Sequence, residues 1–202
     1  MPAIMIQNAS SLPCRYFIKK RVTDSMNWEF TVLDWLQNTA RTPLADFLMP
    51  IVSSLSDAGL FWILLGVILL FFKATRRQGI VLLLALLLEF ALCNGLLKPI
   101  IARVRPYDIR DIAELLVPRL DDFSFPSGHA AVSFAAAASL YFTKSRLALP
   151  AVLLAFAIAF SRLYLYVHFP TDVLAGILIG ILSAAISWKL YLKISAKHTI
   201  NG

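Results

Sequence analysis

Charge is what this sequence has least of. Asp, Glu, Lys and Arg supply 15% of its 202 residues, against about 25% in an ordinary soluble domain. The shortfall sits in long uncharged runs. With 59% apolar residues and a mean hydropathy of +0.74, it excludes a soluble all-helical body, because too little polar surface remains to meet water. Cysteine is nearly absent as well. Cys14 and Cys93 are the only two, and Cys93 falls inside an apolar run, so no disulfide framework is expected and the redox compartment stays open. There is no fixed-period repeat and no low-complexity linker, which predicts one domain. A cleavable leader is not expected either: MPAIMIQNAS is too mixed, and the basic stretch 15–21 has no apolar core directly behind it.

What is present is apolar sequence in five blocks, at 58–72, 78–97, 127–143, 147–161 and 173–188. A membrane-spanning helix needs about 20 mainly apolar residues, so flanking residues must extend several of these. The expectation is an all-α integral membrane bundle of about five transmembrane helices. It divides into a tail (1–24), an interfacial segment (25–57), a transmembrane core (58–192) and a C-terminal tail (193–202). Within NWEFTVLDWLQ, helical spacing puts Trp28, Val32, Trp35 and Leu36 on one face. That suits a helix lying in the interface or a short helix packed on the bundle.

Five spans would place the residues before 58 on the same side as 98–126 and 162–172. The other side then holds Lys73, Arg76, Arg77, Lys144, Arg146, Lys189, Lys193 and Lys197 and no acid; of the 12 acids, only Glu89 lies within a span. The positive-inside rule puts the acid-free side in the cytoplasm and the other side at the periplasm or exterior, with Arg15, Lys19, Lys20 and Arg21 as the opposing minority. The net charge of +7 reads as topology and contact with anionic lipids. No basic helix or aromatic-interleaved patch accompanies it to suggest nucleic-acid binding.

Three predicted helix ends carry polar residues to that outer side. The second run ends in LLKPIIARVRPYD with Lys98, Arg103, Arg105 and Pro106; the third opens on Pro126, Ser127, Gly128 and His129; the fourth leads into Ser161, Arg162, His168 and Asp172. Lys98, Arg105 and Arg162 would repel one another unless they bound an anion, and the guanidinium fork suits phosphate. Ser127 and Gly128 open a helix whose free N–H groups favour the same ligand. His168 and Asp172 are four apart, so the carboxylate could hold one ring nitrogen and leave the other to attack phosphorus, with His129 as general acid. Two histidines among three cations make a poor metal site, so neither metal nor cofactor is expected. His198 in the tail reads as solvated, and Glu89 reads as a residue paired within the bundle.

These motifs, K98PIIARVR105P106, P126SGH129 and S161RLYLYVH168FPTD172, resemble those of the type 2 phosphatidic acid phosphatase family (PAP2): K-x6-RP, PSGH and SR-x5-H-x3-D, with every spacing intact. They span 98–172, and the layout of the membrane-bound members covers roughly 25–190. The resemblance implies a phosphohistidine on His168 oriented by Asp172, and His129 as the acid that protonates the leaving group. It implies that Lys98, Arg105, Ser127, Gly128 and Arg162 hold the phosphoryl oxygens without a metal. Membrane members often have six spans, where this chain shows five runs. The soluble vanadate-dependent haloperoxidases that share the anion pocket are excluded by those runs. An outward-facing site favours undecaprenyl diphosphate as the lipid substrate, over phosphatidylglycerophosphate, phosphatidate or lipid A 1-phosphate. A lipid phosphotransferase and a non-catalytic lipid-phosphate carrier are the other readings, and 107–122 is the expected specificity loop.

Overall fold

All five apolar runs fold as helices, as their Leu, Ile and Ala content favours. The computed structural model describes residues 27–110, 112 and 115–200, with side chains to 197. The tail 1–24, including Cys14 and the basic stretch 15–21, and the side chain of His198 lie outside the described residues. The order is α1 (Asn27–Thr39), α2 (Pro43–Ser54), a 3-10 turn (Asp57–Gly59), α3 (Leu60–Phe71) and α4 (Arg76–Phe90). A π-helical segment (Ala91–Leu97) then leads into α5 (Lys98–Ile101) and α6 (Pro106–Ile109), followed by α7 (Gly128–Phe142), α8 (Ala148–Tyr164) and α9 (Pro170–Ile200). No strand occurs among the described residues.

Two stretches, Arg76–Ile109 and Pro170–Lys197, are each long and apolar enough to cross a bilayer. A third qualifies as a pair: Pro43–Ser54 and Asp57–Phe71, bent by 44°. The bend lies where Ala58 and Gly59 adopt left-handed φ of 50° and 67°. α7 and α8, with 15 and 17 residues, fall short of the length expected of a span because each meets a polar motif at one end. The expected interfacial segment is therefore two helices, and the second is an apolar partner of α3.

α1 packs on the bundle through Glu29, Phe30, Leu33 and Leu36. Leu36 thus leaves the face proposed from the sequence, and Trp28 and Trp35 stay 53% and 60% exposed. Beneath α1 lies an apolar cluster of Phe30, Leu33, Tyr107, Tyr164, Tyr166 and Phe169. It seals the loop that carries His168.

The larger core surrounds α7, which packs on α4, α8 and α9. Its buried face is built from Ala130, Ala131, Ala135, Ala136 and Ala137. Opposite stand Gly176 and Gly180 of α9, where a Cβ would lie 2.5 Å from the Ser127 carbonyl and 2.3 Å from that of Ala131. Small residues on both helices let the backbones approach to a distance no larger pair permits. The Ser127 N–H can then donate to the Asp172 carbonyl at 3.0 Å, which joins two of the three motifs.

Gly180→Val should force α7 and α9 apart and cost about 1–3 kcal/mol, seen as a lower thermal unfolding midpoint in detergent. Gly95→Ala is the control: nothing lies within 4 Å of its added Cβ, so the midpoint should stay put.

Candidate active site

The three motifs arrive by different structural routes. α4 runs into the π-helical segment at Ala91–Leu97, a widened turn of the kind often found at functional sites. It delivers Asn94 and Lys98 to the cavity wall. Arg105 precedes α6, Ser127 is the N-cap of α7, and Arg162 stands in the last turn of α8. His168 lies in the loop between α8 and α9, and Asp172 in the first turn of α9.

His168 is 1% exposed, and its Nδ1 donates to the Ser124 carbonyl at 2.8 Å. A ring that donates from Nδ1 to a carbonyl carries its lone pair on Nε2, the atom that 3.3 Å separates from Arg105 Nη1. Burial and the surrounding cations Arg105, Arg162 and Lys98 push the imidazole well below the usual histidine range. The ring is thus held with its Nε2 lone pair toward the cations.

The sequence placed Asp172 directly on this ring; the structure places it one step behind. Its Oδ2 lies 3.6 Å from Nδ1 and accepts instead from Ser124 Oγ at 2.5 Å and the Phe169 N–H at 2.9 Å. The carboxylate thus holds the serine whose carbonyl holds the ring, while its charge stays close to the imidazole. Its other oxygen pairs with Arg103 at 2.5 Å. Arg103 also pairs with Glu29 at 2.5 Å and stacks 4.1 Å from the centre of the Phe169 ring. Glu29, Ser124 and Arg103 were not assigned roles from sequence. Arg103 lies inside the first motif and Ser124 just before the second, so proximity was an available signal, but nothing local marked Glu29.

The phosphate-binding candidates do meet. Arg105, 2% exposed, donates to the Val167 carbonyl at 2.8 Å and the Asp122 carbonyl at 2.9 Å. Arg162, 3% exposed, is fixed by Ser53 of α2. Two buried atoms lack a hydrogen-bond partner here, Arg162 Nε and Ser127 Oγ. Orphans of this kind are costly and rare unless a ligand completes them. A Cβ on Gly128 would stand 3.8 Å from Lys98 Nζ. Lys98 thus stands beside a helix N-terminus that has no side-chain cap, a place that favours an anion.

His129 turns its Nε2 to Asp57 Oδ1 at 2.8 Å. It lines a cavity of about 540 Å3 together with Asn94, Lys98, Gly128, Ile63, Leu83 and Leu87. Glu89, expected to be paired, is 2% exposed in the cavity wall, has Cys93 for a neighbour and leaves Oε1 unpartnered.

An anion already stands among the cations. Asp122 pairs with Lys98 through one oxygen and with Arg105 at 2.5 Å through the other. Partial burial raises its pKa, but the hydrogen bond and charge of Lys98, joined by Arg105, outweigh this and hold it at about 2. It stays ionised at neutral pH and competes for a phosphate's place. Asp122→Asn should tighten binding of inorganic phosphate roughly threefold to fivefold, measured calorimetrically on solubilised protein, a modest factor because the pair is half-exposed. Weaker binding would mean that Asp122 holds the cations in their binding positions.

The PAP2 superfamily model matches residues 78–196. The undecaprenyl-diphosphatase of Sulfolobus acidocaldarius is 33% identical over 139 residues, 68% of this chain and 64% of its own length. The lipid A 4'-phosphatase of Bacteroides thetaiotaomicron is 41% identical over 109 residues, 50% of this chain and 48% of its own. The chain therefore spans about half to two thirds of the length of these curated relatives. Among solved structures, the transmembrane PAP2-type phosphatidylglycerolphosphate phosphatase of Bacillus subtilis superposes with a TM-score of 0.66 at 28% identity, covering 91% of this chain and 96% of that one. With the family model spanning more than half the sequence, the chain belongs to the PAP2 superfamily.

Proposed function

We propose that this chain is a membrane lipid-phosphate phosphatase that acts through a phosphohistidine on His168, with undecaprenyl diphosphate as its substrate. The observation that carries the reading is the meeting of Lys98, Arg105, Arg162 and the uncapped start of α7 beside His168 Nε2. Of these groups, Lys98 and Gly128 line a cavity whose wall also carries His129 and the apolar Ile63, Leu83 and Leu87. The terminal phosphate would displace Asp122, take the orphaned Ser127 Oγ and Arg162 Nε, and present phosphorus to Nε2. The lipid tail would extend along Ile63, Leu83 and Leu87. The fixed cations stabilise the charge on the equatorial oxygens, which is most of what phosphoryl transfer asks of a protein. His129 delivers a proton to the leaving oxygen and later takes one from the attacking water.

The five helical runs support five crossings, with the α2–α3 pair as the first. The cluster Lys73, Arg76, Arg77, Lys144 and Arg146 falls at the helix ends away from the site, which supports an outward-facing site in the cytoplasmic membrane. Undecaprenyl diphosphate is released on that face, and one relative bears that activity in its name.

The deciding experiment is phosphate release by detergent-purified protein in EDTA, comparing undecaprenyl diphosphate with phosphatidylglycerophosphate, phosphatidate and lipid A. Undecaprenyl diphosphate should be hydrolysed fastest. A preference for another of the four would keep the reaction and replace the substrate; no release from a folded protein would sink the phosphatase reading. A second outcome concerns pH. Because burial and nearby cations keep His168 unprotonated, the acid limb of kcat/KM that this group sets should lie below pH 6.5, its ordinary value. A limb at or above 6.5 would remove His168 as a nucleophile deprotonated in the free enzyme.

A further inference from the structure

His129 has a partner that no motif contains. Its Nε2 lies 2.8 Å from Asp57 Oδ1, across 72 positions of sequence. Asp57 opens the 3-10 turn between α2 and α3. Two neighbouring left-handed residues, Ala58 and Gly59, shape that turn, a conformation that costs energy at the alanine and persists only when its surroundings hold it.

Those surroundings are specific. Ser56 Oγ meets Ser133 Oγ at 3.0 Å, and Trp62 Nε1 donates to the same Ser133 oxygen at 3.2 Å. A Cβ on Gly59 would lie 3.0 Å from Val132. Ser133 is one helical turn after His129 on α7, so both project from the same face. The turn is thus pinned to α7 from both of its sides, directly below the imidazole. Ser56 and Trp62 are buried, whereas Asp57 keeps 68% of its side chain exposed. Burial does not place Asp57; the clamp does.

We propose that Asp57 is a positioning residue for His129, its carboxylate holding Nε2 so that Nδ1 carries the proton to the leaving oxygen. The inference rests on the phosphatase reading above. It gives the site two His–carboxylate arrangements with opposite tasks. His168 is kept neutral by a carbonyl and surrounding cations and attacks. His129 stands near the same cations, Lys98 and Arg162, and Asp57 is the carboxylate within hydrogen-bond reach of its ring.

The proton accounting closes. As the bond from His168 Nε2 to phosphorus forms and the bond to the leaving oxygen breaks, the proton on His129 Nδ1 passes to that oxygen. Water then attacks phosphorus, returns a proton to Nδ1 and breaks the N–P bond. Asp57 exchanges no proton in either step.

The test uses phenyl phosphate and 4-nitrophenyl phosphate, which share a shape and differ in the basicity of the leaving oxygen. Wild type, Asp57→Asn and His129→Ala are purified as full chains and compared. For Asp57→Asn, kcat on phenyl phosphate should fall roughly 10- to 100-fold, a part of what a general acid contributes. It should fall about threefold or less on 4-nitrophenyl phosphate, with KM unchanged on both. An equal loss on the two, as misfolding or a purely structural role would give, or no loss at all, overturns the proposal. If His129→Ala separates the two substrates and Asp57→Asn does not, Asp57 alone is struck out. If His129→Ala fails to separate them, or the wild type cleaves neither, the general-acid reading falls and Asp57 with it.

Discussion

Buried positive charge is the constraint on which this molecule is built. Arg105 and Arg162 are almost wholly removed from water, and Lys98 nearly so. A cation withdrawn from water costs several kcal/mol unless partners replace the solvent. The structure supplies partners unevenly. Arg103 is fully engaged by Glu29, Asp172 and the Phe169 ring, and so becomes a strut. Arg105 and Lys98 share one exposed carboxylate, Asp122, and Arg162 keeps an unpartnered Nε. Arg162, with an unpartnered Nε, stands near Arg105 and Lys98, whose shared carboxylate is half-exposed. The strut fixes Asp172 and, through Ser124, the ring of His168.

Helix packing makes this arrangement possible at the end of a bundle. The alanine face of α7 and the glycines of α9 bring two backbones together until Ser127 and Asp172 share a hydrogen bond. With bulkier residues there, the second and third motifs would sit too far apart to share one phosphate. The first motif needs a different device. A regular helix continued from α4 would carry Lys98 around the cylinder by 100° per residue, whereas the π-helical segment delays that rotation and turns Asn94 and Lys98 into the cavity.

Much of this was legible in the chain because the chemistry is written in short spacings. His168 to Asp172, Lys98 to Arg105 and the Pro126–His129 cluster each lie within one or two helical turns. The structure brings all eight candidate residues to one region. The sequence misjudged relations that are not local. It gave Asp172 a direct bond to His168, since i to i+4 proximity suggests one, and could not show that Ser124 would take the place between them. It read the face of Trp28, Val32, Trp35 and Leu36 as lying in the interface or packing on the bundle, and gave no role to Glu29 on the packed face, whose partner lies 74 positions away. The bend at Ala58 and Gly59 was hidden because an alanine with positive φ has no sequence signature. The expected interfacial segment 25–57 holds α1 and α2, and α2 leads through that bend toward α3.

The proposed phosphate site and the proposed lipid cavity carry different kinds of information. Each atom that would hold the phosphoryl group is a cation, a hydroxyl or a helix N–H, and none can distinguish one lipid phosphate from another. Relatives named for a polyprenyl diphosphate and for lipid A are therefore compatible with a single phosphoryl pocket. Discrimination has to arise where the rest of the substrate lies. There the wall is Ile63, Leu83 and Leu87, interrupted by one buried acid, Glu89, with an oxygen unpartnered. Such an oxygen favours a ligand hydroxyl and, when ionised, opposes a second phosphate. Charge at Glu89 thus works against a diphosphate headgroup, and the site can accept one only if that carboxyl is neutral or the second phosphate lies toward Lys98.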